Sequence, residues 1–202
     1  MIAVSERTKR DLVELYRVPE ERITVTPHGI DPAFGPGENG GGDYLLFVGA
    51  VQARKNPLVA LDAAAEVGLP LVVAGPEREP ALARELERRG ADLRGYVAKD
   101  ELARLYRGAA CLVLPSRYEG FGLPVLEAMA CGTPVVANPD RAVQEVAGDA
   151  ALYAEPDGLA DAIRRAIAER GRLVAAGLER ASRFSWDETA RLTLEAYRET
   201  LS

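Results

Sequence analysis

Residues 111–137 read CLVLPSRYEGFGLPVLEAMACGTPVVA, and this stretch decides the fold. Cys111–Leu114 is a continuous apolar run closed by Pro115, the pattern of a strand covered on both faces in a parallel sheet. Gly120 and Gly122 then permit a tight turn and close approach to the backbone. Pro124 suits the first turn of a helix, where a missing N–H costs little, so a helix is predicted over 123–131. Gly132-Thr133-Pro134 stops it, and Pro134–Ala137 is a second buried strand. Strand, loop, helix and strand in this order make a βαβ unit.

The same alternation continues outward. Tyr44–Gly49 and Leu71–Gly75 are apolar runs ending in Gly, and Ala150–Tyr153 is a shorter, weaker one. Helical patterns lie between the runs at about 57–67, 80–89 and 99–107, the last with Leu102, Leu105 and Tyr106 on one stripe. The expectation is an α/β fold with a doubly wound, Rossmann-like parallel sheet, whose ligand site lies outside the carboxyl ends of the strands. The ends of the chain differ. Residues 5–16 read as a helix capped by Ser5, and Ile23–Thr26 as a strand stopped by Pro27-His28-Gly29. Residues 35–42 are rich in Gly and read as a linker. Beyond residue 155 only helices follow, the last opened by Ser185-Trp186-Asp187-Glu188, which fits a capping box.

Composition narrows the partners. With 202 residues and 48% hydrophobic content the chain can bury a sizeable core without disulfides or metals. Lysine plus arginine is 25 against 31 acidic residues, a net charge of −6, which argues against a nucleic-acid partner. Cys111 and Cys131 sit in apolar runs and read as buried thiols of a reducing compartment. No apolar run approaches the roughly 20 residues of a membrane span, and Met1–Ser5 does not read as a signal peptide. A cytoplasmic location is the expectation, and nothing in this stretch indicates membrane association. The lone His28 cannot build a His-rich metal site.

Two segments can carry chemistry. The loop before residue 123 offers free N–H groups and the positive end of a helix dipole, a place for a phosphate. Glu119 in that loop and Glu127 one turn into the helix suit sugar hydroxyls better than phosphate, since like charges repel. A surface turn with both carboxylates in solvent fits the same spacing. The second segment is Gly49–Pro57, after the first apolar strand, with Asn56 read as a helix cap and Pro57 as the first helical residue. Arg54 and Lys55 then lie at a strand's carboxyl end, where adjacent cations suit a pyrophosphate. A solvated basic pair is the plain alternative.

These residues resemble a known family. Arg54-Lys55-Asn56, Gly75-Pro76 and the run from Glu119 to Ala137 resemble the nucleotide-sugar-binding half of the family-four retaining glycosyltransferases of GT-B fold. The resemblance runs from about residue 2 to the C-terminus, and its two glutamates are separated by seven residues, as the family requires. Thr26–Asp31 resembles the family's entry into its second domain, with His28 where Asn is usual. By resemblance, Arg54 and Lys55 neutralise the diphosphate of a donor and Glu119 binds its sugar; these three are the catalytic assignments. Gly49 belongs to the same donor-binding set. The backbone of Gly120, Phe121 and Gly122 lines the sugar, Leu123 the phosphate, and Glu127 takes the ribose hydroxyls. Gly95, Tyr96 and Val97 flank the base. The resemblance implies no cofactor and no required metal, because Arg and Lys stabilise the departing diphosphate.

GT-B enzymes have two similar α/β halves with the active site between them, and this chain holds one. Residues 1–34 resemble the end of the missing N-terminal domain and the connection from it. Residues 35–184 are the donor-binding domain, and 185–202 a helix that crosses back to the missing half. The stripe Trp186, Leu192, Leu194 and Tyr197 on that helix is then partly uncovered or packs on residues 1–30. The resemblance implies a transferase half that binds a nucleotide-diphosphate sugar and is inactive alone. A stand-alone nucleotide-sugar-binding module and half of a GT-B epimerase or phosphorylase are the competing readings. A dinucleotide-binding domain is disfavoured, since Gly49-Ala50-Val51 supplies no G-x-G-x-x-G. Trp186, Met129 and Cys131 read as core or interface. GDP-mannose, UDP-glucose, UDP-N-acetylglucosamine and ADP-glucose all suit the motifs.

Overall fold

The computed structural model describes residues 1–38 and 42–201. Asn39, Gly40 and Gly41 of the expected linker lie outside the described residues. The apolar runs become strands: β3 (Leu45–Val48), β4 (Leu71–Ala74), β6 (Cys111–Leu114) and β7 (Val135–Ala137) are buried at every position. With β5 (Asp92–Gly95) and β8 (Leu152–Tyr153) they form one parallel sheet in the order β5-β4-β3-β6-β7-β8. The chain thus winds outward one way from β3 and then the other from β6. Their junction is the switch point at which doubly wound sheets hold ligands.

Residues alternate across the sheet with period two, and each face has its own core. Leu46, Val48, Val72, Leu112, Leu114 and Val135 face a cluster that includes α4 (Lys99–Gly108), α5 (Leu123–Ala130) and α6 (Arg141–Ala147). Leu45, Phe47, Leu71, Val73, Val113 and Val136 face α2 (Pro57–Val67), α3 (Pro80–Arg88) and α7 (Leu159–Ala168). The long α8 (Arg170–Ala181) gives Leu173 to one core and Ala181 to the other. Cys111, Cys131 and Met129 are all buried, and both thiols are free.

The N-terminal segment stands off this sheet. β1 (Ile2–Ala3) and β2 (Thr24–Val25) pair in parallel as a separate two-stranded sheet. Between them runs α1 (Glu6–Tyr16), whose Ser5 hydroxyl accepts from Thr8 N as the expected N-cap. At the other end, α9 (Trp186–Leu201) starts against residues 27–30. Thr189 Oγ1 donates to the Pro27 carbonyl at 2.6 Å, and Ile30 N donates to the Phe184 carbonyl at 3.4 Å. Trp186, Leu194 and Tyr197 remain about half exposed, so the stripe on this helix is partly uncovered.

One strand goes unannounced in the sequence, and three local expectations need correction. The edge strand β5 has no apolar run to announce it, because Asp92 and Arg94 point to solvent and pair with each other. Asn56 is not a side-chain cap: it takes the left-handed conformation, φ 60°, closing a 3-10 turn over Ala53–Lys55 before Pro57 opens α2. The capping box at Ser185 is half made. Ser185 Oγ accepts from Glu188 N at 3.1 Å, but Glu188 turns to Arg191. The last strand is also shorter than expected, since Ala150 closes a 3-10 turn and only Leu152–Tyr153 pairs.

Candidate functional site

The loops that follow β3, β4 and β5 are tied at their roots. Gly49 N donates to the Ala74 carbonyl at 2.9 Å, and Gly75 N to the Gly95 carbonyl at 2.7 Å. After β3 the chain turns through Ala53–Lys55, braced where Ala53 N donates to Glu79 Oε1 at 2.9 Å. This turn meets the loop after β6 directly. Arg117 N donates to the Arg54 carbonyl at 3.0 Å, and the Arg54 guanidinium donates to the Tyr118 carbonyl. Lys55 Nζ donates to Glu119 Oε1 at 2.5 Å, with both side chains about nine-tenths buried. Arg54, by contrast, is exposed. Glu119 in open solvent and a fully solvated basic pair are therefore both excluded.

The Tyr118–Gly120 backbone is pinned further. Glu119 N donates to Asp140 Oδ2 at 3.3 Å, while Asp140 Oδ1 accepts from Ala142 N and Val143 N as the N-cap of α6. The Tyr118 hydroxyl donates to Asp11 of α1 at 2.9 Å, and the Arg7 guanidinium lies 5.0 Å from the Tyr118 ring centre. Beyond this point the loop turns on Gly122, whose φ of +105° is a conformation that a side chain resists. The Phe121 ring is buried edge-on to His28 and Phe184, with centroids 5.2 and 6.0 Å away. Among the described residues, the N–H groups of Gly120, Phe121, Gly122 and Leu123 have no protein acceptor. They precede and open α5, so a row of donors stands at the positive end of a helix.

Glu127 lies elsewhere on α5 and faces a different environment. It lines a cavity of about 280 Å³ together with Leu123, Tyr96, Val97, Asp31 and Lys99. Tyr96 is 86% exposed at its mouth, and Lys99 Nζ donates to Asp31 Oδ2 at 2.5 Å. The fully buried Tyr106 hydroxyl donates to Glu127 Oε2 at 2.8 Å. Burial pushes the Glu127 carboxyl up to about 7, against the pull of Tyr106; nearby Asp31 raises it and Lys99 lowers it. The site residues thus fall into two groups. Arg54, Lys55 and Glu119 meet at one place, while Glu127, Tyr96 and Val97 line the cavity, with Leu123 reaching it from the end of the glycine loop. Gly49 and Gly95 form the roots of the loops; a Cβ on Gly49 would stand 3.8 Å from the Lys55 side chain, and one on Gly95 would meet nothing within 4 Å.

Sequence reading missed Asp140, Tyr106 and the involvement of α1 through Arg7 and Asp11. The contacts that bring them to the site, Asp140 to Glu119, Tyr106 to Glu127 and Asp11 to Tyr118, each span at least 21 residues, and only the N-cap bonds of Asp140 are local. Among the described residues no group of three or more His, Cys, Asp or Glu side chains is arranged to hold a metal ion. No helix among them is long and apolar enough to cross a membrane.

Comparison with known proteins fits this arrangement to a family. The model of the family described as "Glycosyl transferases group 1" matches residues 42–169, and that of "Glycosyltransferase Family 4" matches residues 1–34. The chain belongs to the group 1 glycosyl transferases. Similar relatives of this group 1 domain include O-antigen chain mannosyltransferase B of Escherichia coli, 32% identical over 98% of this chain and 60% of the relative. D-inositol 3-phosphate glycosyltransferase of Frankia alni is 35% identical over the whole chain and 59% of its own length. The chain therefore spans less than two thirds of the length of these curated relatives. Among solved structures, a glycosyltransferase from Rickettsia africae aligns over the whole chain and 63% of its own, with a TM-score of 0.86 at 19% identity. The sucrose-phosphate synthase of Thermosynechococcus elongatus gives a TM-score of 0.86 at 25% identity, over 99% of this chain and 58% of its own. The α/β Rossmann-like fold is that of a GT-B half-domain.

Proposed function

We propose that this chain is the C-terminal, donor-binding half of a retaining glycosyltransferase that moves a sugar from a nucleotide-diphosphate sugar to an acceptor. The carrying observation is the meeting of Arg54 and Lys55 with Tyr118 and Glu119 beside the unpaired amides of the glycine loop. A diphosphate accepts what these groups donate: two cations from one crossover and N–H groups from the next. As the bond from the sugar's anomeric carbon to the diphosphate breaks, negative charge grows on the departing oxygens. Arg54 and Lys55 then act where that charge develops, and no metal is needed for it. Glu119 would accept from sugar hydroxyls once Lys55 is shared with phosphate. Glu127 would accept from the ribose, and Tyr96 and Val97 at the cavity mouth would flank the base.

Residues 1–34 are read as the end of an N-terminal half and its connection, 35–184 as the donor domain, and 185–202 as the crossover helix. Two family models that divide near residue 34 support that boundary, as does the separate β1–β2 pair. The acceptor site would lie in the other half, so the chain alone should bind donor without turning it over. Thermal denaturation with UDP, GDP, ADP and their sugar conjugates identifies the base. The matching ligand at 100 times its Kd should add about 2.7 kcal/mol of stability. Robust transfer by this chain alone, with that donor and a panel of acceptors, would overturn the half-enzyme reading. No stabilisation by any nucleotide would overturn the donor site.

A further inference from the structure

The glycine loop is also held from a side that neither the phosphate nor the ribose roles account for. Ser5 Oγ lies 2.6 Å and Thr8 Oγ1 3.0 Å from the carbonyl oxygen of Gly120, more than 110 residues away in sequence. Ser5 is 2% exposed and its oxygen already accepts from Thr8 N, so its proton goes to Gly120 at 2.6 Å in preference to Thr8 Oγ1 at 3.1 Å. Thr8 sits in the first turn of α1, and its hydroxyl, 3.1 Å from Ser5 Oγ, donates to the same Gly120 carbonyl. The helix that carries both is fastened to the same layer. Glu145 of α6 accepts from Glu6 N at 2.8 Å and from Arg7 N at 2.9 Å. Two hydroxyls on a fixed helix end thus converge on one carbonyl.

That carbonyl sets the direction of a donor. In a trans peptide the N–H points opposite to the C=O. With the Gly120 carbonyl turned to α1, the Phe121 N–H points away from α1. This N–H belongs to the row that has no protein acceptor. Rotation of this peptide changes ψ of Gly120, which glycine leaves soft, together with φ of Phe121, and the two hydroxyls fix the first of these. We propose that Ser5 and Thr8 are positioning residues that hold the Gly120 peptide so that the Phe121 N–H stays aimed at the sugar of the donor. The inference rests on the donor-site reading above; the two hydroxyls act through the Gly120 carbonyl.

The test compares a nucleoside diphosphate with its sugar conjugate. Calorimetric titration of the wild-type chain with UDP, GDP and ADP selects the base, and the matching UDP-, GDP- or ADP-sugar follows. Thr8→Val keeps the shape of the side chain and the Ser5 cap but removes one donor; Ser5→Ala with Thr8→Val removes both. Circular dichroism and cooperative melting establish that each variant is folded, and if the double variant is not, Thr8→Val decides. The expected result is sugar-conjugate affinity weakened about tenfold, diphosphate affinity unchanged within about twofold, and recovery with Thr8→Ser. Equal weakening of both ligands, or of neither, would overturn the positioning role while leaving the donor site standing. A wild-type chain that binds no nucleotide would overturn the donor reading, and this inference with it.

Discussion

The Lys55 ammonium and the Glu119 carboxylate lie 2.5 Å apart although 64 residues separate them, and they tie the turn after β3 to the loop after β6. Both charges are largely withdrawn from water, so each depends on the other. Removing one leaves its partner buried and unpaired. Lys55→Met or Glu119→Gln should each destabilise the fold by about 3 kcal/mol, and the double variant by clearly less than the sum. Urea denaturation with an unchanged slope measures all three. Additive effects would mean that the pair contributes no coupling.

Glu127 gives the molecule a pH dependence near neutrality. Its carboxyl is pushed up to about 7 from an ordinary 4.5, so the folded protein keeps a proton that the unfolded chain has released. Stability from this group is fully present below about pH 4.5 and is lost as pH rises to about 7, by about 3 kcal/mol in all. Glu127→Gln should flatten the stability curve across that window. Tyr106→Phe, which removes the hydrogen bond favouring the carboxylate, should extend the loss to higher pH. Denaturation midpoints from pH 4 to pH 8 measure both effects.

The same titration should govern ligand affinity. A ribose hydroxyl needs the carboxylate as its acceptor. A nucleotide-sugar, whose diphosphate does not titrate here, should bind about eightfold more weakly at pH 6 than at pH 7.5. In Glu127→Gln that dependence should disappear. A wild-type affinity that is flat over this range would remove Glu127 from the ribose site.

Gly29 sets the seat of α9. A Cβ at this position would stand 2.1 Å from Trp186 N, so Gly29→Ala must push the start of the helix away. The cost should be about 1–3 kcal/mol, as for other overpacked contacts. Trp186 is the only tryptophan of the chain and lies 5.4 Å from His28, centre to centre. Its fluorescence should therefore report the displacement directly. An unchanged spectrum and melting point would show that the contact yields without moving the helix.

Local chemistry made much of this fold readable before any coordinate. The four fully buried strands announce themselves as apolar runs, and Pro57 and Gly68 mark the ends of α2. The glycine loop and the cations of the β3 turn were legible because strand ends in a doubly wound sheet share one edge. Other features answer to contacts distant in sequence. β5 is an edge strand stabilised by Gly75 and by one neighbouring strand, so Asp92 and Arg94 can face water. Asn56 looks like a cap in sequence but adopts φ 60° as it closes the 3-10 turn over Ala53–Lys55, its N–H on the Ala53 carbonyl. The elevation of Glu127 comes from burial, helped by Asp31 and opposed by Tyr106 and Lys99 of α4, all distant in sequence. Nothing in the spacing of Ser5 and Thr8 points to Gly120.

The central claim is that Arg54 and Lys55 share one diphosphate with the amides of the glycine loop. Calorimetric titration of the wild type, Arg54→Ala and Arg54→Ala/Lys55→Met with the matching nucleoside diphosphate and its bare nucleoside tests it most directly. Each lost charge-assisted contact should weaken diphosphate binding by about 1.5–3 kcal/mol, so the double variant should lose at least a hundredfold while its weak affinity for the nucleoside stays the same. Diphosphate binding that survives intact in the folded double variant would contradict the claim.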